Sequence, residues 1–132
     1  MTDIAYMSAA QLAEAYRNKT LSPVEATRTI LDRIDRLNPA INAFCPVAHE
    51  SALADARAAE ARWAKGAPLS PIDGVPAGIK DLIVTNGMPT LRGSKTVDAG
   101  GPWLDDAPAV ARLREAGAVI LGKTCTPACG WK

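Results

Sequence analysis

Lys80 is the residue whose type and position first indicate chemistry. It directly follows residues 75–79, an apolar run broken only by Pro76 and Gly78. An ammonium group beside an apolar strand is costly unless it faces water or has partners. The glycine–proline frame fixes the backbone around Lys80, the apolar run can lower a lysine pKa by desolvation, and a glycine-rich loop follows. Lys80 is therefore either a solvated residue at a strand end or a lysine placed in a site.

A second lysine lies in a pattern that imitates a phosphate-binding loop. Gly117-Ala-Val-Ile-Leu-Gly-Lys-Thr124 fits the expression G-x-x-x-x-G-K-[ST] letter for letter. In a phosphate loop the residues between the glycines are irregular, and a helix begins after the Lys-Thr pair. Here the intervening residues are typical of a strand, and Pro127 follows. Nucleotide binding is therefore ranked last among the functional interpretations.

The cysteines and the single histidine give no metal site. Cys125 and Cys129 are four residues apart, but Pro127 argues against the helix that would place both on one face. A zinc site would need two further ligands, for which only Cys45 and His49 are available. We interpret the cysteines as buried or pocket-lining thiols and His49 as a surface or capping residue. No metal is expected.

The composition is that of an ordinary globular domain. The 132 residues are 48% hydrophobic and 22% charged, with a net charge of +1. This charge gives no attraction to nucleic acid or anionic lipid. Three cysteines without a signal-peptide pattern argue against a disulfide framework, and the apolar runs are too short to span a bilayer. We expect a cytoplasmic protein with no cofactor, no nucleic-acid partner and no membrane partner.

Two capping patterns open helices within residues 1–40. Ser8-Ala-Ala-Gln11 is a capping box, and Ser22-Pro-Val-Glu25 adds a proline at the first helical position. Apolar residues then recur at helical spacing as far as Asn38 and Pro39, where the second helix is expected to end. Residues 1–40 therefore predict a helical hairpin.

The rest of the chain, residues 41–132, predicts short strands and helices in alternation. The first half is expected to contain an edge strand with Pro46 (41–47), an alanine-rich helix (49–65) and a strand (75–79). A possible second extended piece (81–85) and a long loop (90–103) should follow. The last elements are a helix with an aspartate cap (105–117) and a buried strand (118–121). The helix-then-strand order indicates the α/β class. Because an open sheet of two strands is not stable alone in water, the sequence predicts either a piece of a larger domain or one chain of a composite fold.

Several segments together resemble the amidase signature family. Gly74-Val-Pro-Ala-Gly-Ile-Lys80-Asp81 resembles its G-[IV]-P-x-x-[IVL]-K-[DE] segment. Residues 106–124 resemble the segment that the family carries next, and residues 38–44 resemble its opening. The resemblance implies a twisted mixed β-sheet covered by helices. Residues 1–132 would then be the N-terminal portion of the domain, with the hairpin at 1–40 and the start of the α/β core at 41–132.

The resemblance also implies a mechanism. The family hydrolyses carboxylic amides, or passes ammonia from glutamine, with a Ser–cis-Ser–Lys triad, and its catalytic lysine matches Lys80. A neutral Lys80 would act as general base toward a bridging serine, which would activate a nucleophilic serine. The loop after the last strand resembles one that lines the substrate pocket. It makes Thr126, Ala128 and Cys129 candidate substrate contacts, although many members carry Glu-Phe at residues 128–129.

The glycine- and serine-rich segment that supplies both serines in the family has no match here. Ser94 lies close to Lys80 in sequence, but its loop context indicates a structural role. We therefore expect a fragment of an amidase that is inactive alone, with a small-molecule amide as substrate. Its partner would be the remaining part of the same enzyme or a second copy in a homodimer. The alternatives are a fragment of the catalytic subunit of a glutamine-dependent aminoacyl-tRNA amidotransferase, and a truncated non-catalytic structural or interaction module.

Overall fold

The structure is a computed structural model that describes residues 3–131. It has mixed α/β architecture, as the sequence predicts, and within the described residues no helix is long and apolar enough to cross a membrane. The elements in chain order are a 3₁₀ turn (Ile4–Tyr6), α1 (Ala9–Arg17), α2 (Pro23–Ile41), β1 (Phe44–Val47), α3 (His49–Ala64), β2 (Pro76–Lys80), α4 (Pro108–Glu115), β3 (Val119–Thr124) and a second 3₁₀ turn (Ala128–Gly130).

The predicted capping boxes of α1 and α2 are both confirmed. Ser8 Oγ accepts the Gln11 N–H, and Gln11 Oε1 accepts the Ser8 N–H. Ser22 and Glu25 make the same reciprocal pair at the start of α2. Each box satisfies backbone donors that a helix start otherwise leaves unpaired. These starts are set by side chains three residues apart, which is why the sequence alone locates them.

The C-terminus of α2 differs from its predicted end. The helix continues through Pro39 to Ile41, and Asn42 ends it in the left-handed conformation with φ 48°. The Asn42 N–H donates to the Asn38 carbonyl, so the final turn closes around the proline. Pro39 is tolerated because, so close to the helix end, its missing N–H removes only one bond of the final turn.

Two expectations between β2 and α4 are wrong. Residues 81–85 form a turn and a bend that end in an isolated bridge between Thr85 and Met88, instead of a second extended piece. The expected aspartate cap of α4 is absent, because Ala107 occupies the N-cap position and makes no side-chain hydrogen bond. Asp106 instead accepts the Asn86 N–H at 2.7 Å and pairs with Arg114 Nε at 3.0 Å. The Asp106 carboxylate thus connects the backbone at Asn86 to Arg114 on α4.

The sheet is built around β3. β1 pairs with one side of β3 in antiparallel orientation, and β2 pairs with the other side in parallel orientation. Phe44 and Lys80 are both register partners of Thr124. β2 and β3 therefore end together at one edge of the sheet, where side chains from separate segments meet.

Helices cover both faces of this small sheet. One apolar cluster lies between α2, α3 and β3, and it contains Leu31, Ile34, Ala52, Ala56, Val119 and Leu121. Ala52, Ala56 and Ala59, on the inner face of α3, are fully buried, and these small side chains let α3 pack closely against its neighbours. A cluster on the opposite face lies under α4 and contains Ile79, Met88, Val110 and Ile120. A third joins α1, α2 and α3 through Leu12, Tyr16, Ala26 and Trp63.

A buried carboxylate joins the end of α3 to the segment that leads into β2. Asp73 is 0% exposed and accepts two hydrogen bonds from the Arg62 guanidinium, at 2.8 and 2.7 Å. The Leu69 N–H donates to the same carboxylate, and Trp63 Nε1 donates to the Asp73 carbonyl at 2.9 Å. These bonds fix the backbone entering β2, and so fix the strand that ends at Lys80.

Candidate active site

Lys80 lies at the carboxyl end of β2 and is exposed. Successive side chains of a strand point to opposite faces, so Lys80 faces away from its buried neighbour Ile79. Its ammonium has no ion-pair partner within residues 3–131. Within these residues Ile79, the buried residue of the apolar run 75–79, packs against Val110 and Ile120, and the run does not enclose the Lys80 ammonium. The lysine is presented at the sheet edge, where it is available to groups that approach from outside this part of the fold.

The glycines before Lys80 are required by close packing. Gly74 has φ 81°, and a Cβ there would lie 2.8 Å from the ring of Pro23. A Cβ on Gly78 would lie 3.0 Å from Thr124 Cγ2 and 3.5 Å from the ring of Phe44. The glycine–proline frame predicted to hold Lys80 therefore does so by letting helix α2 and strand β3 approach β2 closely.

The residue that sequence reasoning missed is Lys123. Its side chain is 0% exposed, and its Nζ donates to the Ile83 carbonyl at 2.7 Å and to Thr90 Oγ1 at 2.8 Å. Asp81 Oδ1 is 3.7 Å away. Burial lowers the pKa of Lys123, while the Asp81 charge acts in the opposite direction. The available signal was a lysine directly after the apolar run 118–121 and Gly122. An ammonium enclosed in this way is not presented to a nucleotide phosphate.

The loop after β3 packs against the segment that follows Lys80. The Cys129 N–H donates to the Arg92 carbonyl at 2.7 Å, and a Cβ on Gly93 would collide with the Thr126 carbonyl oxygen. Ala128 opens the short 3₁₀ turn, in which Cys129 has φ 51°. Ala128 and Cys129 are exposed, and Thr126 is half-buried, with Oγ1 inaccessible to solvent and without a hydrogen bond in the structure. The fold thus brings the three candidate substrate contacts to the edge at which Lys80 lies, and their role stays a prediction.

The histidine and serine interpretations agree with the structure. The His49 ring lies 2.8 Å from Asp35 Oδ1, and its side chain is 45% exposed, which fits a surface residue. Ser94 Oγ lies 2.8 Å from Thr96 Oγ1 and accepts the Thr96 N–H. Ser94 therefore has the local loop role that its sequence context indicated.

Cys45, Cys125 and Cys129 are all exposed, so the expectation of buried thiols is wrong, and a pocket-lining role stays a prediction. Cys45 nevertheless has a perturbed thiol, and its Sγ donates to the Lys123 carbonyl at 3.4 Å. Desolvation of the sulfur, followed by the Asp81 charge and the Cys125 thiol, raises the pKa of Cys45 to about 11. Cys45 is therefore a poor nucleophile at neutral pH.

We expect iodoacetamide to alkylate Cys45 about tenfold more slowly than a free cysteine at pH 8, because the smaller thiolate fraction is only partly offset by higher nucleophilicity. The rate should still be rising at pH 10, since the pKa is about 11. Quantifying the Cys45 peptide by mass spectrometry measures this profile. In Cys125→Ala the midpoint should move to lower pH, and a rate that levels off below pH 9 in the unmodified protein would contradict the assignment.

Comparison with known proteins places this geometry in a family. The amidase family model matches residues 25–131. Among curated proteins, a glutamyl-tRNA(Gln) amidotransferase subunit from Acidothermus cellulolyticus is 44% identical over 126 residues, covering 94% of this chain and 24% of that protein. The protein of the same name from Geobacter metallireducens is 46% identical over 113 residues, covering 86% of this chain and 23% of that protein.

Solved structures give the same result. The peptide amidase from Stenotrophomonas maltophilia superposes with a TM-score of 0.82 at 33% identity, covering 91% of this chain and 25% of that chain. A bacterial aryl acylamidase of the amidase signature family has a TM-score of 0.78 at 28% identity, covering 94% and 26%. The chain therefore belongs to the amidase signature family, and its α/β fold is confirmed. It spans about a quarter of the length of the curated relatives it matches.

Proposed function

We propose that this chain provides the general base, Lys80, of a site that hydrolyses carboxylic amides. The observation that carries the proposal is the exposed position of Lys80 on a rigidly held backbone. It stands exposed at the carboxyl end of a strand, held by a tightly packed glycine–proline segment, in a chain that belongs to the amidase signature family. Such a position lets a lysine reach reacting groups while its backbone stays fixed.

The proposed chemistry needs a neutral Lys80. Its amine takes a proton from a bridging serine, which takes the proton of a second serine as that serine attacks the amide carbonyl. The proton then passes to the departing nitrogen, which leaves as ammonia or an amine. Water hydrolyses the resulting acyl ester and releases the acid. Because no serine of this chain matches the family's serine-rich segment, the proposal assigns both serines to polypeptide beyond residues 1–132.

Substrate contacts are proposed for the loop after β3. Thr126, Ala128 and Cys129 lie on a segment that is tied to Arg92 and follows directly on Thr124, the register partner of Lys80. Small side chains at residues 128–129 leave more space than the Glu-Phe pair that many family members carry. We therefore propose that this loop influences which acyl group the site accepts.

A more specific function is favoured by the pattern of relatives. The curated proteins at 44–46% identity cited above are each named as a glutamyl-tRNA(Gln) amidotransferase subunit, whereas the amidases of known structure cited are 28–33% identical. The second candidate is thus the catalytic subunit of such an amidotransferase. Lys80 would keep its role, with the side-chain amide of glutamine as the ammonia source. Release of ammonia from glutamine, compared with release from simple aryl and alkyl amides, distinguishes the two candidates.

We expect Lys80→Met, made in the full chain that carries these residues, to lower kcat for amide hydrolysis by about a thousandfold, since general-base catalysis contributes about 10²–10⁴-fold. The methionine keeps the approximate length of the side chain but removes the amine. The measurement is the rate of ammonia or amine release from an amide that the unsubstituted protein cleaves. Lys95→Met, at an exposed lysine of the following loop, is the matched control and should keep the full rate. A Lys80→Met protein that still turns over at the control rate would refute the assignment.

A further inference from the structure

We propose that the buried lysine Lys123 is a positioning residue for Lys80. Its ammonium, together with Asp81, anchors the turns that begin directly after Lys80 and thereby sets the direction in which the end of β2 presents the base. This positioning role rests on the proposed function, because its effect on kcat can be measured only if Lys80 is the base of an amide-cleaving site.

The Lys123 ammonium is enclosed by the segment that follows Lys80. Ile83 O and Thr90 Oγ1 accept from Nζ at 2.7 and 2.8 Å, and Asp81 Oδ1 faces it at 3.7 Å. Thr90 is 1% exposed and Asp81 is 4% exposed. A buried charge is tolerated only when it is paired and hydrogen-bonded, so these three contacts are what allow the lysine to remain inside. They also tie residues 81–90 to one point on β3.

Asp81 transmits this anchoring to the backbone on both sides of the loop. Its N–H donates to the Thr124 carbonyl at 2.9 Å, and its own carbonyl accepts the Arg92 N–H at 3.0 Å. Its Oδ1, the atom that faces Lys123, also accepts the Leu91 N–H at 3.2 Å. The carboxylate and the backbone carbonyl of Asp81 therefore close the loop from residue 81 to residue 92, and the Lys123 ammonium faces the carboxylate.

The loop in turn fixes Lys80. The Ile83 N–H donates to the Lys80 carbonyl at 2.9 Å, while the Ile83 carbonyl accepts from the Lys123 ammonium at 2.7 Å. One residue thus connects the backbone of the base to the buried lysine. Removing the ammonium would leave the Ile83 carbonyl with the Thr85 and Thr90 hydroxyls as donors, at 3.0 and 3.5 Å, and the buried Asp81 carboxylate without the charge that faces it. The loss of that charge favours rearrangement of the turn that orients Lys80.

Lys123 acts through other residues and does not touch a substrate. Its side chain is completely buried, so no reacting atom reaches its amine. A purely structural lysine in this place would stabilise the fold but would leave the turnover of folded molecules unchanged. A positioning role and a purely structural role predict different values of kcat and different sites of accelerated amide exchange, and the test measures both quantities.

The test compares Lys123→Met with Lys95→Met in the full chain that carries these residues. We expect Lys123→Met to lower kcat by about 10- to 100-fold with KM changed less than about twofold, since displacement of a catalytic group by about 1 Å costs about 10²-fold. Native-state hydrogen exchange should accelerate at the Leu91 and Arg92 amides and remain unchanged at the Val119 amide, which donates to the Val75 carbonyl. Lys95→Met should match the unsubstituted protein in both measurements.

Thr90→Val provides a variant for the case in which Lys123→Met does not fold. It keeps the shape of the threonine and removes one acceptor of the ammonium, and we expect a severalfold loss of kcat with the same local pattern of exchange. Full kcat in the folded Lys123→Met or Thr90→Val protein, or exchange that rises equally at all three amides, would overturn the inference.

The outcomes separate the inference from the proposed function. If the unsubstituted full chain cleaves no amide, the proposed function fails, and the exchange measurement alone decides whether Lys123 anchors residues 81–92. If Lys80→Met abolishes turnover while Lys123→Met keeps it, the proposed function stands and the positioning role is rejected.

Discussion

Replacing Gly122 by alanine is expected to lower the free energy of unfolding by about 3 kcal/mol or more, from overpacking combined with an unfavourable backbone conformation. Gly122 has φ 145°, and a Cβ there would collide with the Pro46 carbonyl oxygen and lie 3.0 Å from Val47 Cα. Both obstructing atoms belong to the backbone of β1, which is hydrogen-bonded to β3 and cannot yield as a flexible side chain would. Urea denaturation of the full chain measures the loss.

The matched control for this substitution is Gly66→Ala. Gly66 also has a positive φ, 69°, but a Cβ there would meet nothing within 4 Å. We expect only the conformational cost of about 1–2 kcal/mol at this position. The difference between the two variants isolates the close approach of β1 to β3. Equal losses at the two positions would show that β1 does not pack against Gly122 as described.

Arg62→Met is expected to destabilise the protein by about 3–5 kcal/mol, because it breaks a buried ion pair and leaves one charge without its partner. The Asp73 side chain is 0% exposed, whereas the Arg62 side chain is 28% exposed. Loss of the arginine therefore leaves a fully buried carboxylate with the Leu69 N–H as its remaining hydrogen bond in the structure. The midpoint and slope of urea unfolding give the change in free energy.

An exposed ion pair of the same chain is the control for Arg62. Arg112 and Glu115 lie 2.6 Å apart, but their side chains are 73% and 60% exposed. Arg112→Met should change stability by less than about 1 kcal/mol, since exposed pairs contribute little. In the double variant Arg62→Met/Asp73→Leu, part of the loss should be recovered because no buried charge remains. If Arg62→Met and Arg112→Met cost the same, the importance given to burial of Asp73 would be wrong.

The two stability predictions concern the backbone that carries the candidate base. Asp73 holds the backbone that leads into β2. Gly122 lies where the register of β3 shifts against both β1 and β2. Either substitution should therefore affect the position of Lys80 as well as stability.

Much of the local structure could be predicted because its causes are close together in sequence. The two capping boxes join residues three apart, Pro108 lies in the first turn of α4, and Gly117 follows the end of that helix with φ 85°. The short apolar runs locate β2 and β3, although the ends shift by a few residues. The motif around Lys80 also depends on neighbouring residues, so the sequence alone was enough to select the lysine and the family.

The errors occurred where a residue found a partner that local patterns do not reveal. An aspartate of residues 105–106 was expected to cap α4, but Asp106 pairs with Arg114 and accepts the N–H of Asn86, 20 residues away. Asn38 and Pro39 were expected to end α2, but Asn42 takes the left-handed conformation that ends it at Ile41. For α4 a more distant ion pair and hydrogen bond engage the aspartate that could have capped the helix. For α2 the left-handed conformation of Asn42, and not the proline, sets the helix end.

The sequence by itself determined the class, the starts of α1 and α2 and the choice of Lys80 as candidate base. Only the tertiary structure decided which lysine is buried. Lys80 follows an apolar run yet is exposed, whereas Lys123, in a pattern typical of a phosphate loop, is enclosed. The physical reason is that burial of an ammonium depends on its acceptors, and those of Lys123 are supplied by Thr90 and Ile83, 33 and 40 residues away along the chain. Such partners meet only when β2 and β3 pair and the loop between them closes.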